Sequence, residues 1–160
     1  MTATVRTAIF DHVGLTVGDL DAAVDWYGRA LELCEEFRFE LPAFGFRAVM
    51  MIGATRYRIE LIERAGSRPG PRPANPVDAA LTRGYGHICL DVEDVDVAYA
   101  KLLAVGAEDR MSPRPSPEPG VRMAFVADPE GNLIELLDRA AVRSRGAPFS
   151  PEVHVPIGPA

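Results

Sequence analysis

Lysine is nearly missing from this chain. Lys101 is the only one, and arginine supplies the rest of the 17 basic residues. Schiff-base chemistry therefore has a single candidate, and Lys101 falls on a predicted helix face away from any other functional signal. Cysteine is scarce as well. Cys34 and Cys89 fit no zinc-ligand or CxxC spacing, so they read as buried free thiols of a reducing compartment. Positive charge is in deficit, with 17 basic against 23 acidic residues and a net charge of -6, which gives no support to nucleic acid or an anionic membrane as partner. No apolar run approaches the roughly 20 residues needed to span a bilayer. The opening MTATVRTAIF lacks the apolar core of a signal peptide, so a cytoplasmic protein is expected. What remains is ample for a core: 48% of the 160 residues are hydrophobic, enough for one domain or two small modules with a shared interior.

The sequence repeats itself at an offset of 75 positions. HVGLTVGDLDAAV from His12 falls on HICLDVEDVDVAY from His87, and RIELIE from Arg58 falls on LIELLD from Leu133. Thr7, His12, Leu15, Val17, Asp19, Asp21, Ala23, Pro42, Gly45, Arg47, Ile59, Glu60 and Leu61 all recur at that one offset without a gap. Common residues coincide by chance, but His on His and Glu on Glu inside apolar segments share one register, and that marks a duplication.

Each copy reads as βαβββ. Residues 8–17 alternate as a strand, and Asp19 caps a helix whose apolar stripe is Leu20, Val24, Tyr27 and Leu31. Asp94 caps the equivalent helix, with Val95, Tyr99 and Leu102 as its stripe and Gly106 at its end. Strands follow near 34–41, 46–52 and 56–63, the last two joined by Gly53-Ala54-Thr55. In the second copy a weak strand near 107–111 precedes a proline-rich loop, and strands near 121–127 and 132–138 flank the turn Asp128-Pro129-Glu130-Gly131. The fold class is α+β, two tandem modules forming a cupped mixed sheet: residues 1–65, a Pro/Gly/Arg-rich linker at 66–82 with a short helix near 77–83, residues 83–138, and a tail at 139–160.

Only three histidines occur, and two hold equivalent places. Each opens an apolar strand, and each is followed 48 residues later by a glutamate inside another: His12 by Glu60, His87 by Glu135. A carboxylate in such a strand needs a compensating charge. Any one of these residues alone reads as an ordinary satisfied polar group. The matched set of four, brought together by pseudo-twofold symmetry, reads as a mixed nitrogen and oxygen site for one divalent ion: Ni²⁺, Co²⁺, Mn²⁺, Zn²⁺ or Fe²⁺. A shell without thiolate argues against a closed structural zinc.

Asp11-His12-Val13-Gly14-Leu15, Ala23-Val24-Asp25-Trp26-Tyr27, Arg58-Ile59-Glu60-Leu61, Gly86-His87-Ile88 and the segment from Asp128 to Leu136 together resemble the vicinal oxygen chelate superfamily. That group includes glyoxalase I, methylmalonyl-CoA epimerase, extradiol dioxygenases and drug-resistance proteins. The resemblance covers about residues 8–138. It implies that His12, Glu60, His87 and Glu135 hold the metal, and that a glutamate removes a proton beside a carbonyl whose oxygen the ion holds. Glu135 is then ligand and base, with Glu60 its pseudosymmetric alternative. The implied enzyme is a glyoxalase-like isomerase or lyase acting on a small oxygenated substrate, as a homodimer. The site lies within one chain or, by domain-swapped pairing, is shared between two. The epimerase branch carries a further acid where Ala48 stands here. Its absence disfavours that reaction. An Fe²⁺ dioxygenase and a non-catalytic drug-binding protein are the alternatives.

Strand pairing across the Gly53 turn sets Ala48 opposite Glu60, with Phe46 and Met50 on the same face. The same spacing sets Met123 opposite Glu135, with Phe125 beside it. Arg58 shares the face of Glu60 and is either an anchor for an anionic substrate or a partner for a nearby carboxylate. Ala48, Met50, Arg58, Met123 and Phe125 are thus the expected pocket wall. Arg47 and Arg122, symmetry mates of opposite parity, read as structural ion-pair partners, and Trp26 and Tyr27 as helix packing residues.

Overall fold

The computed structural model describes residues 8–139. The expected tail therefore lies outside the described residues, apart from residue 139. In chain order the elements are β1 (Val13–Val17), α1 (Leu20–Leu31), β2 (Cys34–Leu41), a 3-10 turn at Pro42–Phe44, β3 (Phe46–Ile52), β4 (Arg58–Arg64), α2 (Pro76–Ala79), β5 (His87–Asp91), α3 (Val95–Ala104), β6 (Glu108–Pro115), β7 (Arg122–Ala127) and β8 (Leu133–Asp138). They form two four-stranded mixed sheets with matching orders, β1-β4-β3-β2 and β5-β8-β7-β6. In each, the first strand lies parallel to the last and the others pair antiparallel. The duplication is thus carried into topology.

The helices start where the sequence signals them. The Asp19 side chain accepts from the Ala22 amide, and the Asp94 side chain from the Val97 amide, each at 3.0 Å. One face of each sheet packs inward. Val49, Met51, Ile59 and Leu61 from the first sheet join Ala124, Val126, Ile134 and Leu136 from the second in a single core with Leu20, Tyr27, Val95 and Leu102. Because strand residues alternate in direction, Glu60 and Glu135 stand on the opposite faces. Arg47 reaches Glu63 and Asp21, and Arg122 reaches Asp96, the symmetry mate of Asp21.

Three expectations need correction. The loop after β3 is longer than the three residues read from sequence. The Gly53 amide donates to the Tyr57 carbonyl, and Arg56 sits in the left-handed region at φ 66. A Cβ at Gly53 would lie 2.4 Å from the Tyr57 ring, so this turn demands glycine. The longer loop slides the register by two, so that Met50, not Ala48, stands opposite Glu60; in the second copy the β7–β8 connection spans 128–132, and Phe125, not Met123, stands opposite Glu135. Second, β6 runs on to Pro115 rather than ending at a proline loop. It is an edge strand with two irregularities, which is where a sheet tolerates proline. Third, Cys34 and Cys89 are exposed, not buried. Small shifts also occur at the ends: β1 starts at Val13, just past His12, and the linker helix is Pro76–Ala79, capped by Asn75.

Helix α1 fastens one copy to the other. Trp26 Nε1 donates to the Val105 carbonyl at 3.0 Å, and the Tyr27 hydroxyl donates to Asp128 Oδ2 at 2.9 Å. Asp128 is buried, and its other oxygen accepts the Glu130 and Asn132 amides, closing the β7–β8 turn. Burial, then the Asp128 charge, push the Tyr27 phenol far above its ordinary range, so it stays a donor. Tyr27→Phe removes that donor from a buried carboxylate which keeps its other partners. The expected cost is about 1–2 kcal/mol, seen as a lower denaturant midpoint with an unchanged slope.

Candidate metal-binding site

Parallel pairing of β1 with β4 sets Val13 against Ile59 and Gly14 against Glu60, and pairing of β5 with β8 sets His87 against Leu133 and Cys89 against Glu135. Each histidine, at the start of its strand or just before it, therefore leans over the glutamate of the neighbouring strand. His12 Nε2 lies 3.6 Å from Glu60 Oε2, and His87 Nε2 lies 3.1 Å from Glu135 Oε2. The exposures match as well, 38% and 40% for the imidazoles and 18% and 17% for the carboxylates. The structure thus brings the four residues together as two equivalent couples.

It does not bring the two couples to one point within the chain. Among the described residues, no three His, Cys, Asp or Glu side chains are arranged to hold a metal ion. Of the two arrangements left open by the sequence, the structure does not show the one within a single chain: Glu60 and Glu135 lie on separate sheets, each on the face turned away from the helices and the common core. As a donor set, each couple still suits a divalent cation. It offers one imidazole and one carboxylate on an accessible face. The first contact, at 3.6 Å, is too long for a direct hydrogen bond, leaving both atoms free for a third partner.

The surroundings are apolar. Met50 and Ala48 are buried on the face of Glu60, and Phe125 is buried on that of Glu135, while Met123 is half-buried. The His87 ring meets Phe125 edge-on, with centroids 5.2 Å apart. Phe37, opposite Met50, and Phe39, opposite Ala48, extend the first face, and Phe39 in turn meets Phe46 at 5.9 Å. Arg58 does share the face of Glu60, but its guanidinium is held by Glu36, at 2.8 Å through two nitrogens, and by Asp11 at 3.1 Å. A cavity of about 210 Å³ runs beneath the linker between β1 and β5; its wall includes His87, Pro71 and Tyr85 but neither glutamate.

Sequence reading missed two residues that touch the couples, Asp11 and Cys89, and one that acts through Arg58, Glu36. Asp11 Oδ1 accepts a hydrogen bond from His12 Nδ1 at 2.8 Å. That bond, with the nearby Arg58 charge helping, holds the Asp11 carboxyl below its usual range. Glu36 anchors Arg58. Cys89 lies beside Glu135 across β5 and β8. Its equivalent in the first copy is Gly14, and the available signal was this difference between copies, which a search for identities discards.

Residues 9–136 match the family model of the Glyoxalase/Bleomycin resistance protein/Dioxygenase superfamily. The chain belongs to that superfamily. A relative named probable lactoylglutathione lyase, from Vibrio cholerae, is 28% identical over 133 residues, covering 79% of this chain and 87% of that protein. A lactoylglutathione lyase of Schizosaccharomyces pombe is 26% identical over 159 residues, and the match covers only 52% of its length. In structure, a glyoxalase family protein from Bacillus cereus superimposes with a TM-score of 0.69 at 23% identity, covering 86% of this chain and 98% of that one, which shows the shared fold.

Although Cys89 as a residue is exposed, partial burial of its thiol, then the Glu135 charge and a hydrogen bond to it, push the thiol up to about 12. The folded state thus disfavours thiolate. In a Cys34→Ser background, alkylation of Cys89 by iodoacetamide is expected to be still accelerating at about pH 10, where an unperturbed thiol near 8.5 has levelled off. A plateau near the unperturbed value would show that Glu135 does not hold the thiol proton.

Proposed function

We propose that this protein is a metal-dependent, glyoxalase-like lyase or isomerase that removes a proton from carbon beside a carbonyl group. The observation that carries the reading is the pair of His–Glu couples, equivalent in sequence, in strand pairing and in exposure. His12, Glu60, His87 and Glu135 would hold one divalent ion. Because each couple supplies half of the donors and the couples lie apart in one chain, the complete set is assembled between two copies, the first couple of one chain facing the second couple of its partner. Relatives named lactoylglutathione lyase support a lyase, and they make a thiol adduct of a small carbonyl compound the first substrate class to test.

The ion, when bound, polarises substrate oxygens and offsets the negative charge that develops as the proton leaves, worth several kcal/mol. The chain's residues do the rest. A Glu135 carboxylate oxygen accepts the carbon-bound proton and returns it to the adjacent carbon, so the substrate is isomerised without an external oxidant or reductant. Phe125, opposite Glu135, gives that carboxylate an apolar neighbour, which keeps bulk water from competing for the proton. Glu60, the symmetry mate, stands beside Gly14 and Met50 and remains a ligand.

Glu135→Gln keeps an oxygen donor but cannot accept the proton. It is expected to lower turnover by about 10²–10⁴-fold while only part of the bound metal is lost, measured by elemental analysis beside an assay on methylglyoxal with a thiol. Unchanged turnover would refute the base assignment. Purified protein that takes up no divalent ion would refute the metal site itself.

A further inference from the structure

The two couples are equivalent in outline but not in their support, and the difference has a chemical consequence. The first is backed by a run of charged contacts. Glu36 takes Arg58 Nε and Nη2 at 2.8 Å each, Arg58 Nη1 donates to Asp11 Oδ2 at 3.1 Å, and His12 Nδ1 donates to Asp11 Oδ1 at 2.8 Å. A carboxylate has acceptors only, so the proton of a neutral His12 ring must sit on Nδ1 and the lone pair on Nε2, the nitrogen that faces Glu60.

None of this is repeated 75 positions on. Asp11 corresponds to Gly86, Glu36 to Met111 and Arg58 to Leu133. Sterics do not forbid an acid at Gly86, since a Cβ there would meet nothing within 4 Å. The His87 ring is instead packed edge-on against Phe125. Among the described residues, a carboxylate acceptor backs the histidine of the first copy and not that of the second.

We propose that Asp11 is a positioning residue for His12, itself held in place by Arg58 and Glu36, and that it makes the His12–Glu60 couple the firm half of the site and His87–Glu135 the yielding half. This rests on the metal-site reading above and deepens it. A ring whose Nδ1–H is fixed by a carboxylate is held in one tautomer and one orientation, and its Nε2 is a better donor. The couple lacking that support gives up its carboxylate at lower cost, which is what a ligand that also serves as base requires.

The test compares wild type with Asp11→Ala, Asp11→Asn and Arg58→Leu, full chains throughout. In the metal-free protein, ¹⁵N chemical shifts of the histidine side chains report the tautomer directly. Wild-type His12 is expected to show Nδ1–H, and Asp11→Ala to show a tautomer mixture, with His87 unmoved. Ni²⁺ affinity, measured by competition with a chromogenic chelator, should fall about 10–100-fold in Asp11→Ala, less in Arg58→Leu, and recover in part in Asp11→Asn, whose amide oxygen still accepts. Asp11 is exposed and precedes β1, so the thermal midpoint should hold. A His12 tautomer and a Ni²⁺ affinity that ignore Asp11→Ala would overturn the proposal. Absence of Ni²⁺ binding by wild type would sink the metal reading instead, while the tautomer comparison would still decide the role of Asp11.

Discussion

The parallel pairing of first strand with last, made twice, is the constraint on which this molecule turns. It sets Gly14 beside Glu60 and Cys89 beside Glu135, and so places a histidine from each strand start over a glutamate in the neighbouring strand. Parallel neighbours cannot be joined by a tight hairpin. The chain must therefore spend a helix and two further strands between them, and those intervening elements supply both the core and the apolar surroundings of each carboxylate. The alternation of a strand then does the sorting: Ile59 and Leu61 go to the core, Glu60 between them to the open face.

Duplication allows asymmetry without loss of geometry. One couple is embedded among Asp11, Arg58 and Glu36; the other lies against Phe125 and Cys89. In a site proposed both to grip an ion and to move a proton, two identical carboxylates are harder to employ for two tasks than two that differ in their neighbours. The Cys89 thiol, kept protonated beside Glu135, adds to the contrast with bare Gly14.

Much of this was legible in the residues. The 75-residue offset, the aspartate caps and the alternating strands gave βαβββ twice, and the same offset singled out the four ligand candidates. Distances across turns were not legible to that precision. Tyr57 folding on Gly53, with Arg56 in the left-handed region, lengthens the hairpin and moves the partner of Glu60 from Ala48 to Met50. Prolines at 113 and 115 read as a loop because sequence does not reveal that β6 is an edge. Whether the couples meet within one chain or across two stayed open for a related reason: local pattern says which face a residue takes, but not which way two whole sheets turn their open faces. Asp11 was visible all along, yet its meaning depends on Arg58, a neighbour 47 residues away.

Assembly between copies is the claim with the sharpest consequence. His12→Ala and His87→Ala each damage one couple, and in the proposed homodimer each variant alone carries two defective sites. If every site joins the first couple of one chain to the second couple of another, unfolding and refolding the two variants together creates heterodimers with one intact site. Random pairing should then restore about a quarter of wild-type activity and metal content. A mixture as inactive and metal-poor as either variant alone would contradict the account.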